Sequence, residues 1–118
     1  MSDAQSEFES LLPLKTAWFH ILLALGDGPQ HGYAVRIDVE ERTGGRVKLW
    51  PATLYGSIRD MEEEGLIVEN EGPDDPDDDP RRRYYELTPR GRGVLSAEVE
   101  RLQRLVDEAR ATRALRRA

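Results

Sequence analysis

The sequence predicts a mainly α-helical fold with one small β-hairpin, followed by a long C-terminal helix. Three observations support this prediction. Apolar residues recur every three or four positions in several stretches, which is the period of an α-helix. Two short stretches rich in β-branched and aromatic residues flank a loop of proline and aspartate, as expected for a hairpin. Glycine and proline residues separate the predicted elements from one another.

Composition narrows the function before any element is placed. At 118 residues the chain has room for one domain, which favours a binding module over an enzyme. The absence of cysteine excludes thiolate metal sites, and two histidines are too few for most histidine metal sites. The common nucleotide-binding, metalloprotease and serine-hydrolase motifs do not occur. We therefore expect no catalytic residues, no metal and no cofactor.

The sequence also predicts where the protein resides. No apolar stretch approaches the ~20 residues that a membrane-spanning helix needs. The first residues do not combine a basic region, an apolar run and a small-residue cleavage site, as a secretory signal would. We expect a cytoplasmic protein without a membrane partner.

The acidic charge of the chain is concentrated in one segment. The chain carries 17 Lys and Arg residues against 23 Asp and Glu residues, a net charge of −6. Nucleic-acid-binding proteins usually have a basic surface instead. Five of the acids are aspartates within residues 74–79, however, and without them the net charge would be −1. Three arginines follow directly at residues 81–83, so the distribution of charge matters more than its sum.

The first elements are an arm and a buried helix. Residues 1–12 are polar and acidic with scattered apolar side chains, and we expect them to form either an N-terminal arm or a short helix that needs a partner surface. Residues 13–25 are apolar on most sides, which favours a helix in the middle of a small fold. The Gly-Asp-Gly-Pro sequence at residues 26–29 ends this helix.

A second helix is predicted over residues 31–43. Its apolar residues include Tyr33, Ala34 and Ile37 at helical spacing. The two glycines at residues 44–45 supply the positive φ angles that commonly end a helix. Two helices joined by a tight glycine and proline turn result.

A third helix is predicted to begin at Pro51, because a proline at the first helical position sacrifices no hydrogen bond. Leu54, Ile58 and Met61 form its core face. The opposite face carries short or polar side chains that no core requires: Ala52, Thr53, Gly56 and Arg59. The backbone can approach a flat or grooved partner closely there. Three glutamates at residues 62–64 are unfavourable near phosphate, so only the N-terminal half should contact an anionic partner.

A hairpin follows the third helix. Residues 66–71 and 82–87 are predicted as its antiparallel strands, with Tyr85 and Leu87 on one face, and residues 72–80 as its loop. Three helices followed by a hairpin is the element order of a winged helix-turn-helix domain.

The last helix is predicted to run from Thr88 and Pro89 towards Arg117, because threonine is a good N-cap and proline suits the first turn. Its apolar residues alternate spacings of four and three, which is the seam of a coiled coil. They are Leu95, Val99, Leu102, Val106 and Ala109. A domain of this size cannot bury such a stripe itself, whereas a second copy can. We therefore expect a homodimer joined through residues 89–118.

Three segments occur in the order GPQHGYAV, PATLYGSIRDMEEEGLI and RRRYYELTPRG. In this order and spacing they resemble the PadR family of bacterial transcriptional regulators, over roughly residues 14–106. The resemblance implies a winged-helix DNA-binding domain at residues 13–88, a C-terminal dimerisation helix and, usually, repression that a small molecule relieves. With a single C-terminal helix, the chain resembles the shorter members of that family.

The resemblance also assigns the DNA-contacting elements. It places the recognition helix at residues 51–64, with the family's T-L-Y element at 53–55. It places the wing at residues 71–84, with a basic triplet at 81–83. The sequence departs from the family pattern at two places. Trp50 stands where a capping serine or glycine is commoner, and the wing loop is unusually acidic.

Elementary stereochemistry gives these elements a role at DNA. A helix fits the major groove, while a β-hairpin reaches the flanking backbone or the minor groove. A threonine can contact a base or a thymine methyl, and arginines suit phosphates or guanines. The expected partner is double-stranded DNA with an inverted-repeat operator. The predicted DNA-contacting residues are Thr53, Tyr55, Gly56, Arg59, Arg81, Arg82 and Arg83.

Several of these residues have a structural alternative. Tyr55 lies at the edge of the buried stripe and is equally well explained as a core residue. Arg59 can pair with Glu63 one turn later. The arginines at residues 81–83 can form a salt-bridged strand edge. The aspartates at residues 74–79 lack the glycine and distal glutamate of a calcium loop. Because they lie within the ~8 Å screening length of the arginines, we hypothesise that they weaken non-specific DNA binding.

The remaining aromatic and histidine residues leave their roles open. Trp18 and Trp50 are most simply core or interface aromatics. Trp18 is also the one candidate for effector binding, at the dimer junction. We expect His20 to be a satisfied core histidine and His31 to belong to the turn.

These residues predict a sequence-specific DNA-binding transcriptional regulator, in the form of a homodimeric repressor relieved by a small-molecule effector. The alternative is a winged-helix and coiled-coil module that binds protein and has no specific DNA binding. The net charge of −6 favours this alternative, because nucleic-acid-binding proteins usually have a basic surface.

Overall fold

The computed structural model describes residues 7–116; the first six residues of the predicted N-terminal segment and the last two residues of the predicted dimerisation segment, 117–118, lie outside the described residues. Residues 7–9, within the predicted N-terminal segment, are helical. From Thr16 onwards the helices and strands follow the predicted order, with one additional strand. Their order is α1 (Thr16–Leu25), β1 (Gln30–His31), α2 (Gly32–Arg42), α3 (Pro51–Glu63), β2 (Ile67–Asn70), β3 (Tyr84–Leu87) and α4 (Pro89–Ala111).

One hydrophobic core lies between the helices and the sheet. Ile21, Leu22 and Ala24 of α1 are fully buried, as expected for a central helix. Val35 and Val39 of α2, Met61 of α3 and Val94 of α4 pack around them. The fold is mainly helical with a small sheet, as the sequence predicts. One face of α3 and the hairpin loop lie at the surface.

The sheet has three antiparallel strands in the order β1-β3-β2. The hairpin pairs Ile67 with Leu87 and Asn70 with Tyr84. The short strand β1 pairs with the other edge of β3, His31 opposite Tyr84. The sequence analysis did not predict β1, because two residues carry no periodicity. This pairing brings the start of α2 next to the hairpin.

Helix α1 begins three residues later than predicted, at Thr16 instead of Pro13. The residue before it, Lys15, is extended, with φ −59° and ψ 145°. The amide of Leu14 donates a hydrogen bond to the carboxylate of Glu98 in α4 at 2.8 Å. Leu14 is therefore hydrogen-bonded to α4 and does not form a first turn of α1.

Helix α2 begins one residue later than predicted, with His31 as its N-cap. Its buried face consists of Val35 and Val39, and Tyr33 is 55% exposed. The prediction for the two glycines that follow is confirmed, because Gly44 and Gly45 have φ values of 61° and 80°.

The second strand of the hairpin is shorter than predicted, because Arg82 and Arg83 precede β3. The amide of Arg82 donates to the carbonyl of Asp79 at 3.0 Å and closes a turn there. Helix α4 also ends before the predicted position, at Ala111. Thr112 is extended after it, with φ −68° and ψ 157°.

The start of α4 matches the prediction. The Thr88 hydroxyl accepts a hydrogen bond from the amide of Gly91 at 2.9 Å and donates one to the carbonyl of Gly65 at 2.6 Å. This N-cap therefore ties the beginning of α4 to the end of α3. A β-carbon on Gly91 would lie 2.0 Å from the Leu66 carbonyl oxygen, so only glycine allows this close approach.

Candidate nucleic-acid interface

Helix α3 has a buried face and an open face, as predicted. Leu54, Ile58 and Met61 are 2%, 3% and 0% exposed. Ala52, Thr53 and Arg59 on the other face are exposed, and Gly56 is half-buried. Within residues 7–116, a β-carbon on Gly56 would meet no atom within 4 Å. No described residue fills the space beside this glycine, so an external partner can approach the backbone there.

Tyr55 lies at the surface and not in the core. Its side chain is 52% exposed, which removes the core interpretation that the sequence left open. The ring packs over Gly32 at the start of α2, where a β-carbon would be 3.0 Å from the Tyr55 hydroxyl oxygen. The absence of a side chain at Gly32 therefore allows the Tyr55 ring to contact the start of α2.

Arg59 is exposed in the middle of the open face. Within residues 7–116, no carboxylate lies within 4.0 Å of its guanidinium, so the alternative pair with Glu63 does not form. Trp50 precedes the helix and is 61% exposed, and its side chain does not cap the helix. The sequence analysis did not assign Trp50 to the surface beside this open face.

The three wing arginines are paired with carboxylates. Arg81 Nε lies 3.2 Å from Asp79 Oδ1, Arg82 Nη1 lies 3.1 Å from Asp78 Oδ1, and Arg83 Nε lies 3.5 Å from Glu69 Oε1. In the chain alone, the three arginines therefore form ion pairs, as the salt-bridged alternative expected. The Arg81 and Arg83 side chains remain 89% and 75% exposed, so a phosphate can still reach them.

Tyr84 holds the base of the wing. Its hydroxyl donates a hydrogen bond to Asp78 Oδ1 at 3.0 Å. Burial and then this carboxylate raise the pKa of Tyr84, so the hydroxyl keeps its proton. The ring covers Gly72, which has φ +82° and where a β-carbon would lie 2.5 Å from the ring. A side chain at position 72 would therefore collide with the Tyr84 ring.

An open cleft of about 610 Å³ separates the first turn of α2 from the wing. We call it the wing cleft. It brings together one residue of α3, the wing arginines and the first residues of α2 with their N-cap. The residues that line it are His31, Gly32, Tyr33, Tyr55, Asp79, Arg81, Arg82, Arg83 and Tyr85.

His31 joins the helix and the sheet inside the wing cleft. Its Nδ1 accepts a hydrogen bond from the amide of Ala34 at 3.1 Å and so caps α2. Its ring is parallel to that of Tyr33 and edge-on to that of Tyr84. Burial, and then the positive charge of Arg82, lower the pKa of His31, whereas Asp78 acts in the opposite direction. The neutral imidazole is the form that caps the helix.

Sequence reasoning missed His31 and Tyr33 as surface residues beside the predicted site. A signal for Tyr33 was available, because Val35 and Val39 are spaced i and i+4 and define a core face that excludes it. No comparable signal identified His31, since its position depends on the unpredicted strand β1.

The predicted dimerisation stripe is only partly covered by the chain itself. Leu95 packs against the core and Leu102 is half-buried. Val99 and Val106 are 46% and 41% exposed, and Ala109 is exposed. Leu105, which the prediction omitted, is 47% exposed beside them. The second half of α4 therefore presents apolar side chains to the outside.

Trp18 is a core residue. Its side chain is 9% exposed, and the Lys15 ammonium lies 5.3 Å from the ring centroid. The simpler interpretation, a core aromatic, agrees with this burial, and effector binding at Trp18 stays a prediction. His20 is half-buried and packs edge-on against Phe19.

Neither a metal site nor a membrane span was found in the part of the chain that the structure describes. Within residues 7–116, no three His, Asp or Glu side chains are grouped as metal ligands. None of the helices there is both long and apolar enough to cross a membrane.

The sequence was compared with known families. The profile described as "Transcriptional regulator PadR-like family" matches residues 21–97, well over half of the chain. The chain belongs to this family. A PadR-like chain with this fold is a transcriptional regulator and not an enzyme, and the matched residues include α3 and the entire wing.

The PadR-like chain also has a curated sequence relative. A curated relative from Streptomyces fradiae, an uncharacterised 37.1 kDa protein of the transposon TN4556, is 38% identical over 87 residues, covering 72% of this chain and 22% of its own length. The chain therefore spans about a fifth of that relative.

Solved structures agree on the fold. A PadR family transcription regulator from Clostridium difficile superimposes with a TM-score of 0.64 at 25% identity, covering 81% of this chain and 95% of its own. A transcriptional regulator from Clostridium thermocellum has a TM-score of 0.65 at 22% identity, covering 95% and 99% of the two chains.

Proposed function

We propose that this PadR-like regulator binds double-stranded DNA in a sequence-specific manner, with α3 in the major groove and the wing on the flanking backbone. The observation that carries the proposal is the wing cleft, where Tyr55 of α3 and the arginines at residues 81–83 line one surface. A duplex that engages α3 therefore meets the wing at the same time. Major-groove insertion of a helix with a backbone-contacting hairpin is the mode that such an arrangement suits.

The open face of α3 supports insertion into a groove. Ala52, Thr53 and Gly56 are short, so base edges can come close to the helix. Arg59 carries no paired carboxylate within the described residues and can bind a phosphate or a guanine. Thr53 lies nearest the helix N-terminus of the polar candidates, which is the part that usually contacts bases.

We further propose that the regulator acts as a homodimer. The exposed Val99, Leu105 and Val106 of α4 lose contact with water if a second α4 packs against them. Two recognition helices then bind an inverted repeat whose half-sites lie about one turn, ~34 Å, or a multiple of it apart. In the simplest scheme the dimer represses transcription and a small-molecule effector relieves it, with Trp18 as the candidate contact.

The test is the salt dependence of binding to a duplex selected from a random pool, followed by fluorescence anisotropy. Each neutralised phosphate contributes about 0.9 to the slope of log affinity against log salt. We expect Arg82→Ala to lower the magnitude of this slope by about 1 without changing the preferred sequence, and Thr53→Ala to change the preferred sequence.

Arg92→Ala is the matched control, because Arg92 is exposed on α4 and lines a separate cleft with Asp27 and Glu86. It should leave both the slope and the preference unchanged. An unaltered slope for Arg82→Ala would contradict its phosphate contact. If no duplex is selected from the pool, the alternative function as a protein-binding module gains support, in keeping with the net charge of −6.

A further inference from the structure

Two acidic residues of the wing form ion pairs with specific arginines, in addition to lowering the net charge. Asp79 binds Arg81 through both carboxylate oxygens, with Nε at 3.2 Å from Oδ1 and Nη2 at 3.3 Å from Oδ2. It also accepts a hydrogen bond from the Arg81 amide at 2.9 Å. Two parallel bonds from one guanidinium are also how arginine binds a phosphate. Asp79 thus takes the place that a phosphate oxygen pair would take.

Asp78 occupies a second set of donors. Its Oδ1 accepts hydrogen bonds from Arg82 Nη1 at 3.1 Å and from the Tyr84 hydroxyl at 3.0 Å. The Asp78 side chain is 15% exposed, whereas that of Arg82 is 44% exposed. An arginine and a tyrosine hydroxyl that converge on one oxygen form a donor set that also suits a phosphodiester oxygen.

The remaining aspartates of the loop make no such contacts. Within the described residues, the carboxylates of Asp74 and Asp77 accept no hydrogen bond from any arginine, and both residues are exposed. Asp74 and Asp77 carry the same charge in the same loop as Asp78 and Asp79, yet they do not occupy a guanidinium. Asp74 and Asp77 therefore provide a matched control for Asp78 and Asp79 within the same loop.

We propose that Asp78 and Asp79 act as internal phosphate mimics, which hold Arg82, Arg81 and Tyr84 of the wing in a self-paired state that the DNA backbone must displace. The proposal rests on the proposed function, since it concerns the same surface. A duplex bound only through phosphates must exchange two existing ion pairs for two new ones and gains little. A duplex that also makes base contacts with α3 retains that additional binding energy, so it still binds when the pairs are displaced, whereas random DNA is held only weakly.

The test compares Asp78→Asn/Asp79→Asn with Asp74→Asn/Asp77→Asn, which change the net charge equally. Asparagine keeps an oxygen that accepts from Tyr84, so the wing retains its hydrogen bond; circular dichroism and thermal unfolding check the fold. Binding of each protein to a random-sequence duplex is measured by anisotropy over a salt series around 0.15 M.

We expect the paired-residue variant to bind random DNA about fivefold to tenfold more tightly than the wild type, because two exposed ion pairs no longer compete. The magnitude of its salt slope should increase by about 1 to 2, since two guanidiniums are freed for phosphates. Affinity for the specific duplex should increase by a similar factor, because the same two ion pairs are displaced there. The control variant should gain at most about twofold, through screened long-range charge alone.

Two further outcomes separate this inference from the proposed function. Equal tightening by both variants would overturn the inference and leave DNA binding intact, because only the charge of the loop would then matter. Failure of every protein to bind any duplex would overturn the proposed function. A measurement without DNA addresses the pairing directly: the Nε–H NMR signals of Arg81 and Arg82 should shift at lower inorganic phosphate concentrations in Asp78→Asn/Asp79→Asn than in the wild type. Identical titrations would also overturn the inference.

Discussion

The carboxylate of Glu98 in α4 accepts a hydrogen bond from the amide of Leu14, 84 residues earlier in the chain, at 2.8 Å. Glu98 is only 2% exposed, and its other partner is the guanidinium of Arg101, with Nη2 at 3.1 Å. This buried carboxylate connects the segment before α1 to α4. Glu98 is the last buried residue along α4.

Glu98→Ala should lower the free energy of unfolding by about 2–3 kcal/mol, because the Leu14 amide loses its partner and Arg101 its counter-ion. Glu98→Gln, which can still accept from the amide, should lower it by less. The measurement is urea unfolding at neutral pH. Glu100→Gln, at an exposed position two residues later, is the control and should leave stability unchanged within about 0.5 kcal/mol. Equal effects of Glu98→Ala and Glu100→Gln would contradict the role of Glu98.

The same carboxylate makes stability depend on acid pH. The hydrogen bond from Arg101, and to a smaller extent that from Leu14, lower the pKa of Glu98 from its ordinary value of 4.5, against the opposing effect of burial. A lowered folded-state pKa means that the contribution is complete above 4.5 and is lost as the pH falls through the folded-state pKa. The difference in stability between wild type and Glu98→Gln should therefore shrink as the pH falls below 4.5.

His31 should produce a separate pH effect at higher pH. Its folded-state pKa is lowered from 6.5, chiefly by burial, and the neutral Nδ1 caps α2. The unfolded chain therefore takes up a proton first, and stability falls as the pH drops from 6.5 through the folded-state pKa. We expect the thermal midpoint of the wild type to fall between pH 7 and pH 5, and that of His31→Asn, whose side chain can still cap, to change less. Parallel pH profiles for the two proteins would contradict this assignment.

Two glycines should respond to alanine in opposite ways. Gly91→Ala places a β-carbon 2.0 Å from the Leu66 carbonyl oxygen and should lower the free energy of unfolding by about 3 kcal/mol or more. Gly56→Ala meets no atom of the described residues within 4 Å and should raise it by about 0.5–1 kcal/mol, because alanine favours the helix. Calorimetry measures both effects.

Gly56→Ala should nevertheless weaken DNA binding, since the added methyl group lies on the open face of α3. If Gly56→Ala is more stable than the wild type and yet binds DNA less tightly, Gly56 acts through contact with DNA and not through folding. If Gly56→Ala binds DNA as the wild type does, the close approach of a duplex to this glycine is excluded.

The exposed stripe of α4 predicts a dimer that a single charge can disrupt. Val106→Lys should weaken dimerisation at least about tenfold, because a lysine in the seam must lose hydration. Arg104→Lys introduces the same side chain about 200° around the helix and should leave the dimer intact. Sedimentation equilibrium measures the dissociation constant. A wild type that stays monomeric at micromolar concentration, or a Val106→Lys protein that dimerises as tightly as the wild type, would contradict the predicted interface.

Features that depend on neighbouring residues in the chain were predicted correctly from the sequence. Pro51 begins α3, Leu54 and its partners face the core, and Thr88 caps α4. Each depends on a local rule: the missing amide of proline, the helical period and the hydroxyl of an N-cap. Positive φ at Gly44 and Gly45 belongs to the same group.

Features that depend on distant contacts were not predicted. Strand β1 exists because Gln30 and His31 pair with β3, more than fifty residues later, and two residues carry no pattern of their own. The late start of α1 follows from the contact of Leu14 with Glu98. The individual ion pairs of Asp78 and Asp79 depend on how the wing loop turns back on itself, which charge alone does not determine.

The central claim is that the N-terminal half of α3 enters a DNA groove. Because the chain contains no cysteine, Thr53→Cys creates a unique site for a DNA-cleaving reagent. In complex with a selected duplex, this protein should cleave within each half-site, at two positions about one turn, ~34 Å, or a multiple apart. Glu63→Cys, ten residues later and thus about 15 Å along the same helix, should give little cleavage. Cleavage of equal strength from both positions, or none from position 53 in a complex that forms, would contradict the account.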